Sequence, residues 1–191
     1  MLNVELPNGT QRLIQHSTFN TQHSTFNTQH STFNIQDMDY DVKGNLHEVL
    51  GSLPAGVRLV AISKFHPNEY IEEAYAEGQR IFGESHEQEL AKKVASLPED
   101  IEWHFIGHLQ TNKVKYIAPY ISMIESVDSL KLLKEIEKQA AKHDRVVKVL
   151  LELHLAEEDT KSGLSLDACR ELLEAGEWRE MKHVQICGIM M

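Results

Sequence analysis

Apolar positions along this chain fall into short runs separated by amphipathic segments. The sharpest run is Val57-Arg58-Leu59-Val60-Ala61-Ile62-Ser63, where five of seven residues are apolar and three are β-branched. A short, nearly continuous run of this kind predicts a strand covered on both faces, as in a parallel sheet. It leads into Lys64 and then Pro67, where a strand must stop. Asn68 opens an amphipathic helix carrying Tyr70, Ile71, Ala74 and Tyr75, with Glu69, Glu72 and Glu73 in its first turns. Upstream, Leu46, Val49, Leu50 and Leu53 recur at helical spacing and are ended by Pro54 and Gly56. Downstream, the pattern predicts strands over 79–84, 101–106, 121–127, 146–155 and 183–191. The segments between them read as helices over 87–97, 110–118, 128–142 and 164–177, with Asp128 as the N-cap acid of the third.

Six strands alternating with helices require a parallel sheet. A doubly wound sheet and a (β/α)8 TIM-type barrel both satisfy this order. The barrel needs about 200–250 residues and eight units, so the six units visible here would make an incomplete one.

Residues 1–36 differ from the remainder. Gln15-His-Ser-Thr-Phe-Asn-Thr21 recurs at 22–28 and again at 29–35 with Ile35 closing it. The seven-residue period suggests a coiled coil, but each repeat holds one large apolar residue and several poor helix formers. The segment reads as a low-complexity, disordered tail, with residues 37–191 as the globular domain. His16, His23 and His30 have no Cys or carboxylate between them, which argues against a metal site.

Composition narrows the function. Hydrophobic content of 41% and charged content of 25% are ordinary for a globular protein. The net charge of −10 argues against nucleic acid as the main partner, since phosphate contacts need clustered Lys and Arg. No apolar run is long enough to span a membrane, and the first residues lack the pattern of a signal peptide. Cys169 and Cys187 have neither metal-type spacing nor a disulfide framework, so the expected compartment is the reducing cytoplasm.

In α/β folds, ligands bind at the carboxyl ends of the strands. Those ends carry Lys64 and His66; Gly83, Glu84, Ser85 and His86; His104, Gly107, His108 and Gln110; Glu125, Ser126 and Asp128; and His154, followed by Lys161-Ser162-Gly163. A merely solvated rim would favour Lys and Glu over His, Gly and Gln. Lys64 has two readings: a surface lysine capping a strand, or a desolvated amine able to form a Schiff base with a carbonyl compound. Glycines 83, 107 and 163 are turn residues, or places where backbone approaches a ligand. His104 is either a core histidine or a site residue, and Glu84 either caps the next helix or faces the ligand.

Several blocks together resemble the pyridoxal-phosphate homeostasis protein family, whose members resemble the N-terminal barrel of alanine racemase. They are Leu59-Val60-Ala61-Ile62-Ser63-Lys64-x-x-Pro67, Glu77-Gly78-Gln79-Arg80-x-Phe82-Gly83-Glu84, Gln88-Glu89, and Trp103-His104-Phe105-Ile106-Gly107-His108-Leu109-Gln110-x-Asn112-Lys113. Ser126-Val127-Asp128-Ser129, Lys161-Ser162-Gly163 and Gly188-Ile189-Met190 match as well. The resemblance implies a single, usually monomeric (β/α)8 barrel binding pyridoxal 5′-phosphate (PLP), with Lys64 as the Schiff-base lysine and Lys161 as a second lysine in cofactor handling. It also implies buffering and delivery of the cofactor, with PLP-dependent apo-enzymes as recipients, rather than robust turnover. The implied pocket residues are Lys64, Glu84, Ser85, His104, Gly107, His108, His154, Lys161 and Met190.

The chain departs from the family at two of these places and at one residue beside them. His66 replaces an auxiliary lysine, Ser85 replaces a pocket asparagine, and His154 stands where an asparagine is common. The family's phosphate-gripping segments would follow Met191, so the domain is expected to be truncated at its C-terminus. Weaker phosphate binding and aggregation-prone open strand edges are then expected. A PLP-dependent racemase is the alternative reading, but it needs an acid/base pair across the substrate carbon, and no tyrosine falls at a matching strand end. A metal-dependent hydrolase built on His66, His104, His108 and His154 lacks a His-x-His pair and a carboxylate ligand.

Overall fold

The computed structural model describes residues 2–5, 11–14, 41–154 and 162–191. The pattern assigns no element before residue 37, yet two short strands, β1 (Leu2–Glu5) and β2 (Gln11–Ile14), pair antiparallel there. The three heptapeptide repeats lie outside the described residues. The globular part begins with α1 (Val42–Ser52) and continues β3 (Ala61–Ile62), α2 (Asn68–Ala76), β4 (Ile81–Glu84), α3 (Glu87–Val94) and β5 (Glu102–Phe105). Then follow α4 (Val114–Ile117), β6 (Met123–Val127), α5 (Leu130–Lys142), β7 (Val147–Glu152), α6 (Leu166–Ala175) and β8 (Val184–Met190).

Strands β3 to β8 form one parallel sheet in the order β3-β4-β5-β6-β7-β8. Each strand pairs with its sequence neighbour and each connection carries helical structure, which is the winding of a β/α barrel carried through six units. Every strand therefore points its carboxyl end to the same rim. Side chains alternate between the two faces. Phe82, Trp103, Phe105, Ile124, Val149 and Leu151 join the helices in the main core, with Leu132, Leu133, Ile136 and Ala140 of α5 fully buried against them. The alternate positions, including Gly83, His104 and Glu125, stand on the opposite face.

Helix starts follow local polar chemistry. Asp41 Oδ1 accepts from the Gly44 amide at 2.7 Å to cap α1. Ser165 Oγ does the same for α6 by accepting from the Ala168 amide. The cap of α5 corrects the reading of the pattern: it is Ser129, whose Oγ accepts from Leu132 N at 3.2 Å, and not Asp128. Ser129 has the extended backbone that aims a cap side chain into the first turn. Asp128 instead accepts from the Ser129 hydroxyl.

The strand predicted at Val57–Ser63 is the other correction. Only Ala61–Ile62 pair as β3, and both are half-buried rather than covered on both faces. The reason is position, since β3 is an edge strand paired only with β4. β8, at the other edge, is likewise half-exposed along most of its length. The interior strands β4, β5 and β6 are buried almost throughout, as a two-sided parallel sheet requires.

At the rim, the connections after β4 and β5 approach closely. A Cβ on Gly107 would lie 2.6 Å from the Ser85 carbonyl oxygen and 2.8 Å from Ser85 Cβ. The carbonyl oxygen is backbone and the Cβ is fixed directly to it, so neither can swing aside. Gly107→Ala is therefore expected to cost about 1–3 kcal/mol of stability, seen as a lower denaturant midpoint with unchanged slope.

Candidate functional site

Lys64 lies in the turn that follows β3, half-buried at the carboxyl rim. Its ammonium has no hydrogen-bond or ion-pair partner among the described residues, whereas both flanking backbone groups are held. The Ser63 carbonyl accepts from His66 N at 3.1 Å and from Lys93 Nζ at 2.7 Å. The Phe65 amide donates to Glu89 Oε1 at 2.7 Å. Phe65 adopts φ of 65°, the left-handed region that is costly for a residue with a Cβ. Its side chain is 74% exposed, so burial does not offset that cost.

Beneath this turn is a buried ionic cluster. Lys93 Nζ donates to Glu84 Oε1, Glu89 Oε1 and the Ser63 carbonyl, each at 2.7 Å. Three acceptors use all three ammonium protons. Ser63 Oγ donates to the same Glu84 oxygen at 2.6 Å. The Glu84 side chain is fully buried and its second oxygen, Oε2, has no hydrogen-bond partner among the described residues.

Burial pushes the Glu84 carboxyl above its ordinary value, against the opposing pull of Lys93 and Ser63. For Glu89, desolvation also pushes upward, but Lys93 and the Phe65 amide outweigh it and hold the carboxyl below its ordinary value. A raised folded-state value means that the unfolded chain releases the Glu84 proton first. Between the two values the folded chain binds more protons, so this contribution to stability falls as pH rises through the window. The stability advantage of wild type over Glu84→Gln should accordingly shrink as pH rises above the ordinary glutamate value, measured by denaturant melts.

The remaining candidates occupy neighbouring strand ends but in different settings. His104 is 3% exposed on β5, and its Nδ1 is 2.6 Å from Glu125 Oε1 on β6. It is a buried, oriented imidazole with a carboxylate behind it. Ser126 Oγ donates to the Gly107 carbonyl, fixing the turn after β5. His108 is mostly exposed, with Nδ1 3.4 Å from Asp128 Oδ2. Ser85 Oγ lies 3.0 Å from His86 Nδ1.

At the far end of the sheet, His154 is half-buried just after β7, and its amide donates to the Leu164 carbonyl at 2.8 Å. Met190 ends β8, and its carbonyl accepts from the Leu153 amide. Ser162 Oγ donates to Glu152 Oε1. Lys161 lies outside the described residues. The fold thus brings Lys64, Glu84, Ser85, His104, Gly107, His108, His154 and Met190 to strands or strand ends along one rim. Within that set, Glu84 is committed to Lys93 and His104 to Glu125. Among the described residues no group of three or more His, Cys, Asp and Glu side chains is arranged to hold a metal ion.

Lys93 is a site residue that lies at no strand end. Its four-residue spacing from Glu89 on an acidic-then-basic helix was a visible signal, but nothing local says that the pair is buried. The Glu125 partner of His104 was likewise legible only as another strand-end residue.

The donor set suits the aldehyde end of PLP: a primary amine without a partner among the described residues, on a turn whose flanking backbone is held by Glu89 and Lys93. The rim hydroxyls of Ser126 and Ser162 are already spent on protein acceptors.

A parallel sheet wound one strand at a time, with a lone lysine at the end of its first strand, places the chain among alanine-racemase-type barrels. The family model for the alanine racemase N-terminal domain matches residues 41–191, and the chain belongs to that family. Within it, the pyridoxal phosphate homeostasis protein of Aquifex aeolicus is 41% identical over 134 residues, which are 70% of this chain and 58% of the relative. That of Schizosaccharomyces pombe is 38% identical over 136 residues, covering 70% of this chain and 56% of the relative. The chain therefore spans a little over half the length of these relatives. The structure of PipY from Synechococcus elongatus PCC7942 with PLP bound is 34% identical with a TM-score of 0.70, covering 78% of this chain and 70% of that one. An alanine racemase from Clostridium difficile 630 superposes with a TM-score of 0.60 over 78% of this chain and 39% of that one. At 13% identity it shows a shared fold alone. The expected barrel of the alanine racemase N-terminal kind, incomplete at six units, agrees with these neighbours.

Proposed function

We propose that this chain binds pyridoxal 5′-phosphate at the carboxyl rim, with Lys64 as the covalent anchor, and serves to hold and supply that cofactor without turnover of its own. The observation that carries the reading is the Lys64 amine, without a partner among the described residues, on its pinned turn at the end of β3. The bound PLP of PipY and the names of the homeostasis relatives support it. When bound, the cofactor supplies an aldehyde that links covalently to a primary amine.

The chain's own residues prepare for that group. The turn around Lys64 presents its amine, and the Gly107–Ser85 approach keeps side chains out of the adjoining space. The His104–Glu125 pair holds an imidazole in one orientation on the inner face. Ser85, His108, His154, Lys161 and Met190 are proposed as the remaining wall, with Glu84 acting from below through Lys93.

The proposed recipients are apo-enzymes that use the same cofactor, and the proposed compartment is the cytoplasm. Cys169 is a buried, free thiol, which suits a reducing compartment. The racemase reading gains nothing from the solved racemases, whose likeness extends to the fold only.

The test is to add PLP to the purified chain, record the visible absorbance of covalently held cofactor, reduce with borohydride and map the adduct by mass spectrometry. One adduct per chain on Lys64 is the expected result. Labelling scattered over many lysines, or none, would overturn the proposal.

A further inference from the structure

The buried cluster under β3 has a geometry that bears on Lys64 itself. Of the atoms within one residue of Lys64, two backbone groups are tied to side chains of a single helix, α3. The Ser63 carbonyl is held by Lys93 and the Phe65 amide by Glu89, and these two side chains are bonded to each other at 2.7 Å. Glu84 anchors the arrangement from β4. The tie at Phe65 holds a left-handed backbone that the residue would not otherwise prefer.

We propose that Glu89 and Lys93 are positioning residues for Lys64: by clasping the backbone on both sides of it, they hold its amine at one place on the rim. The inference rests on the reading of Lys64 as the cofactor anchor and adds to it the device that aims that anchor. Without the Glu89 acceptor, the Phe65 amide has no partner in the fold and the turn relaxes from φ of 65° toward the ordinary negative region. Lys64 is then carried off its line while its amine keeps the same chemistry. Orientation of a reacting group, not its intrinsic reactivity, is what is lost.

The variants are Glu89→Ala, which removes the acceptor, and Glu89→Gln, which keeps an amide oxygen able to accept from Phe65 N. Glu89 is partly exposed, so both variants are expected to fold. In the cofactor-free chain, hydrogen exchange at the Phe65 amide should quicken about 10-fold in Glu89→Ala and stay near wild type in Glu89→Gln. With PLP added, the rate of reducible adduct formation at Lys64 should fall about 10-fold in Glu89→Ala and recover in Glu89→Gln. Acetylation of Lys64 by acetic anhydride, which needs no orientation, should be the same in all three.

Adduct formation unchanged in Glu89→Ala would overturn the positioning role while leaving Lys64 as the anchor. So would an acetylation rate that falls in step with the adduct rate, because the amine would then have lost reactivity and not orientation. No Lys64 adduct in the wild-type chain would overturn the anchor reading, and the positioning role with it.

Discussion

Lys93→Met is expected to be the most destabilising single change at this site, by about 3–5 kcal/mol, because it leaves a buried carboxylate uncompensated. The Lys93 side chain is 6% exposed and that of Glu84 is 0% exposed, so water cannot take over the lost partner. Methionine matches the length of the lysine stem but supplies none of its three protons. The Ser63 carbonyl and Glu89 lose a donor together with Glu84. The double variant Lys93→Met, Glu84→Gln should recover most of the loss, since a neutral amide is far cheaper to bury than a lone charge. Chemical denaturation of the single and double variants reads both. A single variant within 1 kcal/mol of wild type, on the order of an exposed ion pair, would show that the cluster is solvated in solution.

Lys64→Ala should have the largest functional effect and almost no structural one. The Lys64 side chain has no partner among the described residues and its turn is held by neighbours, so the denaturant midpoint is expected to move by less than about 0.5 kcal/mol in stability. The reducible PLP adduct should vanish, because no other residue places a primary amine on that turn. His66, two residues on, carries an imidazole that forms no stable equivalent link. Lys93 is not a substitute, since its protons are fully engaged below the rim. Undiminished adduct in Lys64→Ala, mapped to another lysine, would place the anchor elsewhere.

The contrast between Lys64 and Lys93 shows how much of the site the sequence carried. Both are lysines next to a strand end or on an acidic helix, and periodicity singles out Lys64 because it interrupts the passage from an apolar run to a proline. Lys93 sits on a helix whose charges, Glu87, Glu89, Lys92 and Lys93, read as a solvated face. It is buried because α3 packs over the β3–α2 turn, and that packing joins residues 63, 84, 89 and 93 from three separate elements. No local pattern encodes the junction. His104 illustrates the same limit: its strand position was legible, while its carboxylate partner lies 21 residues away on the next strand.

By itself, the alternation of apolar runs and amphipathic segments determined a parallel sheet and the rim on which the polar residues gather, and it left a doubly wound and a barrel order of the strands both open. These depend on period and chain order, which are local. Tertiary structure decided which polar residues face a ligand and which are spent on one another. It also left the first strand half-buried, because an edge strand has a neighbour on one side only. It moved the cap of α5 from an acid to the serine beside it, because a cap is chosen by backbone direction and not by charge. Burial and hydrogen-bond partnership arise only when distant segments meet, and they separate the Lys64 amine, which has no partner among the described residues, from the saturated one of Lys93.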